Sequence, residues 1–487
     1  MRAVLDEPAD GAHARFTAAA DPGAALLAWF GPDALANVVQ GGPLSLRHRL
    51  DRDIAELDAL IARQLDAILR HPDLQALEAA WRGVAYLLEA ADDDPQVKVR
   101  ILSATWSEIA RDFDKALEFD QSALFAKVYS EEFGMPGGLP YGLLLCDHAV
   151  RHKRDATYRI DDVGVLAGLS QVAAAAFVPC LVGAAPQLLG VENVADLAIA
   201  QDITSVFRSA EYQRWQALQR RDDARFLGVV MPRVLLRGAW GDDGARFDGF
   251  RYREGAHGLD TGTWLWGNGV YAVGAVTIRA FRDWGWFADI RGTRIDLEEA
   301  GLVTGLPNPP FSTGEAGAYR RPVEIEFTDR KQRALEDAGL IALSPCRQTA
   351  YLAVLGAPSL RVPEGALNAV VDANERLSAM LHYILCASRF AHYIKVMVRD
   401  RVGTVTTSEE LQRELQDWLG RYVTGNPDAS FATKARYPLR QGRVTVSEIP
   451  GRPGSFTSLI HITPHFQVDQ IVAAFRFQTE IRAARST

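Results

Sequence analysis

Residues 377–403 read LSAMLHYILCASRFAHYIKVMVRDRVG, the longest segment of the chain with a clearly helical apolar period. At about 100° per residue, one side of such a helix is apolar. Its members are Met380, Tyr383, Ala387, Phe390, Ile394 and Met397. The other side carries a basic stripe, which consists of Arg389, His392, Lys395 and Arg399. The pattern predicts a helix that packs Phe390 and Ile394 into a core and presents the basic stripe to a partner or to solvent.

Length and composition limit the class of protein. The chain has 487 residues, 48% of them hydrophobic and 23% charged, which is typical of a globular protein with about two to four domains. Its formal charge of −8 argues against nucleic acid as the main partner. No apolar run reaches the ~18 residues that span a bilayer, and the N-terminus lacks the pattern of a signal peptide. The sequence therefore predicts a cytoplasmic protein without membrane insertion.

Helical and strand-like patterns alternate from residue 51 onward. One amphipathic helix is predicted to end before His71-Pro72, and a second helix follows. The apolar face of this second helix consists of Leu74, Leu77, Trp81, Val84 and Leu88, which assigns Trp81 to the core. The alternating segment 97–102, VKVRIL, and the apolar runs LLLC and FVPCLVG predict strands separated by helices. This order indicates a mixed α/β (α+β) fold with a partly parallel sheet.

The four cysteines are Cys146, Cys180, Cys346 and Cys386. They are far apart in sequence and lie in apolar surroundings. This favours reduced, buried thiols over disulfides or a metal site.

The C-terminal segment predicts three more strands. RVTVSEI and SFTSLIHIT, separated by PGRPG, indicate a hairpin. In the last strand, apolar and polar side chains alternate through Phe475, Arg476, Phe477, Gln478, Thr479, Glu480, Ile481 and Arg482. Because no later strand follows to pair with it, this strand either completes its own sheet or adds to the sheet edge of another subunit.

Patterns for catalysis are weak. His148 and His152 have the four-residue spacing of a metal pair on a helix, and Asp147 is adjacent. However, neighbouring basic residues would oppose a bound cation, which favours a solvated polar face over a metal-dependent enzyme. The chain has no phosphate-binding loop, dinucleotide fingerprint or nucleophile elbow. We therefore expect no enzymatic activity and no cofactor.

The first 50 residues are rich in Ala, Gly and Pro and contain one apolar patch, AALLAWF. The patch is short enough for one amphipathic helix. Its large side chains are Leu26, Leu27, Trp29 and Phe30. Two interpretations remain, a frayed tail with one packed turn or an arm that docks on a partner.

Seven motifs in series resemble one known family. They are LEAAWRGVAYLL (77–88), DQSALFAKVYSEEFGMPGGLPYGLLLCD (120–147), MPR (231–233), LWGNG (265–269), SRFAHYIKVMVRDRVG (388–403), ARYPLR (435–440) and PHFQ (464–467). The chain resembles the large sheath subunit of bacterial type VI secretion systems, TssC or VipB, over residues 51 to the C-terminus. Whether it corresponds to the main subunit or to a second TssC-like paralogue stays open.

The resemblance implies a structural protein without catalytic activity. Members of the family pair with the small sheath subunit TssB (VipA) and polymerise into a contractile helical sheath around the Hcp tube, on a baseplate. The ATPase ClpV commonly disassembles the spent sheath, but residues 1–50 show no clear ClpV-binding helix, and the patch at Leu26 to Phe30 is the one docking candidate. The resemblance also implies that residues 475–482 form a linking strand exchanged between subunits, and it makes the basic stripe a candidate interface.

The expected organisation has four parts. Residues 1–50 form an N-terminal arm, and residues 51–230 form a helical pair with an α/β sheath domain. Residues 231–360 form a second sheath domain with long loops. Residues 361–487 form a C-terminal inner sheath domain with the linking strand.

Overall fold

The computed structural model describes residues 12–135, 137–242, 244, 249–254, 264–297, 299–309, 320–362, 375, 378–400, 407–426, 428–448, 456–465 and 475–481. The chain divides into two compact units. The first unit combines Met1–Ala76 with Ala239–Trp264, and the second combines Leu77–Gly238 with Leu265–Thr487. The mixed helix and sheet fold is confirmed, whereas the four-part division expected from the sequence stays a prediction.

The first unit is mainly helical where it is described. Its helices are α1 (Ala12–Thr17), α2 (Pro22–Phe30), α3 (Pro32–Gln40) and α4 (Gly42–Leu69). Asp21 caps α2, since its carboxylate accepts hydrogen bonds from the backbone N–H groups of Gly23 and Ala24 at 2.8 and 3.0 Å. Helix α4 ends where the sequence predicts, but it begins at Gly42, because Pro43 suits a first helical turn and no breaker follows it.

The remaining helices follow in chain order. They are α5 (Pro72–Ala91), α6 (Trp106–Lys115), α7 (123–133, with a π-helical middle at Ala126–Ser130), α8 (Asp162–Ala176), α9 (Val194–Ile199), α10 (Gln213–Gln219), α11 (Val270–Trp284), α12 (Asp329–Asp337), α13 (Leu381–Asp400), α14 (Ser408–Gly420) and α15 (Phe431–Arg436). The amphipathic segment that contains Phe390 and Ile394 thus forms α13, which begins at Leu381, one residue after Met380 of the predicted apolar side. A capping box begins α6, because Thr105 and Glu108 each bond the other's backbone N–H.

The described strands also follow in chain order. They are β1 (Leu144–Val150), β2 (Cys180–Ala184), β3 (Leu227–Met231), β4 (Val234–Arg237), β5 (Leu265–Gly267), β6 (Thr293–Arg294), β7 (Glu299–Ala300), β8 (Leu302–Val303), β9 (Leu340–Pro345), β10 (Leu352–Val354), β11 (Leu439–Glu448), β12 (Phe456–Pro464) and β13 (Phe475–Ile481). Segment 97–102 is not a strand, although the sequence predicts one. Its Val97 and Val99 are half-buried and Lys98 is exposed, so the alternation exists without a neighbouring strand to pair with.

A six-stranded sheet in the order β1-β2-β3-β9-β10-β8 organises the second unit. The first four strands are parallel, and β10 pairs antiparallel with both β9 and β8. The prediction of a partly parallel sheet is therefore confirmed. Since successive side chains of a strand point to opposite faces, the apolar strands supply two separate cores.

Helices cover both faces of this sheet. On one face, Val182 and Val229 pack in a core that includes residues of α8 and α13. On the other face, Leu181 and Val230 pack in a core that includes residues of α11 and α5. Helix α13, which contains Phe390 and Ile394 at 1% and 0% exposure, is therefore a core element, as the sequence predicts.

Two predictions about individual side chains have opposite outcomes. The thiols are free, and Cys180, Cys346 and Cys386 are buried whereas Cys146 is half-buried. The sequence pattern also predicts that Trp81 lies in the core, and this prediction is wrong because the side chain is 60% exposed. Helix α5 buries a different face, which includes Tyr86 and Leu87.

No helix among the residues that the structure describes is both long and apolar enough to cross a membrane.

Candidate assembly interface

The C-terminal sheet has three antiparallel strands in the order β11-β12-β13. The predicted hairpin is confirmed, because β11 pairs with β12 along nearly its whole length. The last strand pairs with β12 over seven residues, from Phe456 opposite Ile481 to Ile462 opposite Phe475. In the single chain the terminal strand therefore completes its own sheet, which is one of the two arrangements that the sequence left open.

Exchange of this strand between subunits is not visible in a single chain and stays a prediction. Within the described residues, β13 is the last strand of its sheet and has one strand neighbour. Arg482, the last predicted residue of the linking strand, lies outside the described residues.

The opposite edge of this sheet is closed by side chains of α14. Gln416 accepts a hydrogen bond from the Val444 backbone N–H at 2.9 Å and donates one to the Gly442 carbonyl at 3.0 Å. Gln412 accepts a hydrogen bond from the Val446 backbone N–H at 2.9 Å. These are the backbone groups that another strand would use to pair with β11. The two glutamines therefore protect the β11 edge from strand addition, a feature that the sequence analysis missed.

His392, in the middle of the basic stripe, is buried in the second unit. The side chain is 1% exposed, and its Nε2 donates a hydrogen bond to the Ala176 carbonyl at 3.0 Å. Burial, aided by the positive charges of Arg389 and Lys395, lowers the pKa of His392 to about 3. The imidazole is therefore neutral at pH 7 and cannot supply a charge to a partner.

The other members of the basic stripe also make contacts within the second unit. Arg389 donates a hydrogen bond to the Tyr393 hydroxyl at 3.1 Å, and its guanidinium lies 4.5 Å from the centre of that ring. Arg399 donates hydrogen bonds to the carbonyls of Glu132 and Gly138 at 3.1 and 3.3 Å. These contacts hold α13 in its own unit. The expected interface role is corrected for His392, which is buried, and stays a prediction for Arg389, Lys395 and Arg399.

The apolar patch of the N-terminal segment lies on α2. Trp29 donates a hydrogen bond through Nε1 to the buried Asp53 carboxylate at 2.9 Å, and its ring lies 5.2 Å from that of Phe16. Leu26 and Phe30 are half-buried, and Leu27 is 49% exposed. From Ala12 onward the arm therefore consists of successive helices, α1, α2, α3 and the start of α4, rather than a frayed tail. Its docking role stays a prediction.

Asp147 and His148 are consecutive residues of β1, at a shift in the register of its pairing with β2, and their side chains contact different elements. Asp147 accepts a hydrogen bond from the Tyr271 hydroxyl at 2.9 Å, and burial raises the pKa of its carboxyl. His148 stacks on Trp106 with ring centres 4.3 Å apart, and its Nε2 lies 2.9 Å from the Tyr158 hydroxyl. This geometry keeps the two side chains from sharing a metal ion.

His152 lies beyond the end of β1, and its side chain also has partners within the chain. Its Nδ1 donates a hydrogen bond to the Gln187 carbonyl at 2.8 Å, and its ring stacks on Tyr212 at 4.0 Å. With 6% of its side chain exposed, His152 is not on a solvated polar face, so that expectation is wrong. The described residues contain no group of three or more His, Cys, Asp or Glu arranged to hold a metal ion, and the metal-enzyme alternative has no support.

A buried carboxylate that the sequence analysis missed organises this region. Asp162, 3% exposed at the start of α8, accepts hydrogen bonds from Trp106 Nε1 at 2.8 Å, from the Arg151 backbone N–H at 2.7 Å and from the Tyr158 hydroxyl. Burial alone would raise the pKa of its carboxyl, but these donors and the nearby His148 hold it below its usual value. The cluster binds α6, β1 and α8 together, which is a structural role.

The sequence is similar to one family along most of its length. The family described as EvpB/VC_A0108 tail sheath (VipB) matches in two parts, its N-terminal domain over residues 51–361 and its gpW/gp25-like domain over residues 370–481. A curated relative, the type VI secretion system sheath protein TssC1 of Pseudomonas aeruginosa, is 35% identical over 436 residues. The match covers 89% of this chain and 86% of the relative.

Solved structures show more distant likeness. A sheath tail protein of Desulfitobacterium hafniense has a TM-score of 0.31 at 10% identity, and covers 65% of this chain and 60% of its own. A chain of the anti-feeding prophage baseplate has a TM-score of 0.35 at 11% identity, with 81% and 82% covered. A chain of the contracted anti-feeding prophage sheath has a TM-score of 0.33 at 10% identity, with 80% and 81% covered.

Proposed function

Because this chain belongs to the VipB (EvpB/VC_A0108) family of type VI secretion tail sheath proteins, we propose that it polymerises with a small sheath subunit, TssB/VipA, into a contractile sheath. Copies of the heterodimer surround an Hcp tube and start from a baseplate, and contraction of the sheath drives the tube outward. The observation that carries the proposal is the 35% identity over 436 residues, because it extends through both parts of the chain that match the family.

In this proposal the protein has a structural role and catalyses no reaction. It acts in the cytoplasm, needs no cofactor, and binds neither nucleic acid nor the membrane interior. The energy of contraction is stored in the subunit contacts of the extended sheath, so that no step of the stroke depends on chemistry at a side chain.

The terminal strand is the proposed link between subunits. If β13 leaves β12 and pairs with β12 of a neighbour, the same seven residue pairs form again, so the exchange costs little beyond the entropy of association. A backbone ladder can then act as a hinge while the packed surfaces of the subunits rearrange. The closed β11 edge supports this arrangement, because Gln412 and Gln416 leave strand addition to the β12–β13 side.

Deletion of the terminal strand tests this function. The full chain, co-expressed with the small sheath subunit of the same system, is expected to form tubules in negative-stain electron micrographs. A chain that lacks residues 470–487 should form soluble heterodimers but no tubules. A chain that lacks only residues 483–487, beyond the strand, is the matched control and should form tubules.

Two outcomes would contradict parts of the proposal. Tubules of normal length from the 470–487 deletion would show that strand exchange is not the link. Heterodimers without tubules from the full chain would instead assign it to the second TssC-like class, with a different assembly role.

A further inference from the structure

Helix α5 has apolar side chains on two faces, of which one packs inside the second unit. Tyr86 and Leu87 are buried at 8% and 5% exposure, and the Tyr86 hydroxyl donates a hydrogen bond to the Thr304 carbonyl. Gly83 is also buried, and the ring of Tyr271 lies so close to it that a Cβ at this position would clash with the ring. These contacts fix the orientation of the helix about its own axis.

The second apolar face of α5 is exposed. It consists of Leu77, Trp81, Val84 and Leu88, which we call the α5 seam. Three of these side chains are more than half exposed, Leu77 at 56%, Trp81 at 60% and Leu88 at 52%. A soluble helix that is apolar on both sides is normally enclosed on both sides. We therefore expect the α5 seam to be covered by another protein surface.

The spacing of the α5 seam specifies the shape of its occupant. Its members are separated by four, three and four residues, the alternation of the d and a positions of a coiled coil. Such a stripe interlocks with another α-helix that carries the same repeat, because each side chain fits between four side chains of the facing helix. A strand or a loop would not match this repeat.

The charge around the α5 seam is acidic toward the C-terminal end of the helix. Glu89 and Asp93 are exposed there, and the Asp92 carboxylate is 79% exposed while lying 3.6 Å from the Arg282 guanidinium. Carboxylates at a helix C-terminus add to the negative end of the helix dipole. The occupant that complements this end therefore carries Lys or Arg beside its apolar stripe.

We infer that the α5 seam is the docking surface for one amphipathic α-helix of the small sheath subunit, a helix with heptad-spaced apolar residues and basic flanks. The identity of the partner rests on the proposed function, whereas the helical, basic character of the occupant rests on α5 itself. In this arrangement Trp81 is the central anchor, since a large aromatic side chain in the middle of an interface carries much of its binding energy.

Paired substitutions test the α5 seam. The variant Leu77→Ser/Trp81→Ser removes the seam at its centre, and Leu117→Ser/Ile199→Ser is the matched control, because these leucine and isoleucine side chains are 90% and 83% exposed outside α5. The probe is the purified small sheath subunit of the same system, titrated by isothermal calorimetry. The seam variant should bind at least about 30-fold more weakly, while the control binds as the wild type does. The melting temperature of each chain alone should stay unchanged.

A charge variant tests the basic flank. Glu89→Lys/Asp93→Lys should weaken binding about tenfold at 50 mM salt, and the loss should shrink at 500 mM salt because the attraction is screened. An equal loss at both salt concentrations would overturn the assignment of a basic flank.

Four results would overturn the inference. Wild-type affinity in the seam variant would show that the partner binds elsewhere, and the proposed sheath function would stand. A melting temperature lowered by the seam variant alone would show that a segment of this chain covers the α5 seam. A self-associating chain that becomes monomeric in the seam variant would make a second copy the occupant. If the wild-type chain itself failed to bind the small subunit, the proposed function would fail together with the inference.

Discussion

Lys395 shows how a charged residue can serve a core. Its ammonium nitrogen lies among three aromatic rings, at 5.1 Å from the centre of Tyr129, 5.0 Å from Phe133 and 4.7 Å from Phe177. Burial lowers the pKa of Lys395 to about 8, and cation–π attraction offsets part of the lost hydration. The residue is therefore charged at pH 7 at a cost in stability.

Replacing Lys395 with Met is expected to stabilise the chain at neutral pH. The folded pKa of about 8 lies below the usual value of 10.5, so the cost is complete below pH 8 and disappears as the pH rises to 10.5. Lys395→Met should raise the free energy of unfolding by about 1–3 kcal/mol at pH 7, and by less at pH 10. Urea unfolding followed by circular dichroism measures both values. Lys98→Met, at an exposed position, is the control, and a Met variant less stable than the wild type would show that the cation–π contacts outweigh desolvation.

Trp81 and Phe390 belong to similar apolar stripes but have different environments. Phe390 stacks on Trp286 with ring centres 4.1 Å apart and is 1% exposed, whereas Trp81 is 60% exposed. A helical period shows which side chains share a face, but it does not show which of two apolar faces turns inward. In α5 the small residue Gly83 decides this, since it permits close approach to Tyr271.

At the scale of elements, α14 and β11 form a unit that closes one sheet edge. A Cβ at Gly442 would lie 2.7 Å from Leu419 Cδ2, so the helix approaches the strand closely and brings Gln412 and Gln416 within reach of its backbone. In the described sheet, β12 and β13 are then the strands that can exchange pairing partners. Protection of an edge by side-chain amides is one way to prevent unwanted strand pairing.

The variant Gln412→Ala/Gln416→Ala should open this edge. The backbone N–H groups of Val444 and Val446 would lose their acceptors, which favours pairing with strands of other chains. We expect the purified chain to self-associate at concentrations at which the wild type is monodisperse, measured by sedimentation velocity. The double variant Arg413→Ala/Asp417→Ala, at exposed positions of the same helix, should sediment as the wild type does. Equal sedimentation of all three chains would refute the protective role.

Segment 97–102 shows why a strand cannot be read from alternation alone. Val97 and Val99 are half-buried and Lys98 is exposed, but the alternation stops at Ile101, which is 60% exposed. No described strand of the six-stranded sheet pairs with this segment. A strand is defined by hydrogen bonds to a neighbour that lies far away in sequence. The same holds for Val323, Ile325 and Phe327, which are all buried while a single bridge, Val234 to Val323, connects them to a strand.

At the scale of the whole molecule, the first unit presents the candidate site for the ATPase. Trp29 is held by Asp53, which leaves Leu27 as the most exposed large side chain of α2. Recognition by ClpV, if it uses this helix, therefore depends on the leucines rather than on the tryptophan.

The variant Leu26→Ser/Leu27→Ser should leave sheath assembly unchanged and slow its disassembly by ClpV and ATP about tenfold, because an apolar anchor is lost. Light scattering of assembled tubules after addition of the ATPase measures the rate. The control is Val39→Ser/Leu44→Ser, with side chains 58% and 69% exposed outside α2. Equal disassembly rates for both variants would place the recognition site elsewhere.

Local and repeated patterns were enough to predict the mixed fold, the partly parallel sheet, the core position of Phe390 and Ile394, and the C-terminal hairpin. Each of these depends on neighbouring residues or on a period that repeats along one element. The seven motifs in series also identified the sheath family, since their order reflects the whole chain. The sequence by itself thus determined most of the elements and the class of protein.

The tertiary structure decided which surfaces are free. Three-dimensional packing placed His392 against a backbone carbonyl and Lys395 among aromatic rings. It also separated the side chains of Asp147 and His148. On α5 it left Leu77, Trp81 and Leu88 exposed. The physical reason is that burial and hydrogen bonding depend on partners distant in sequence, such as Ala176 for His392. A helical or strand period contains no information about those partners.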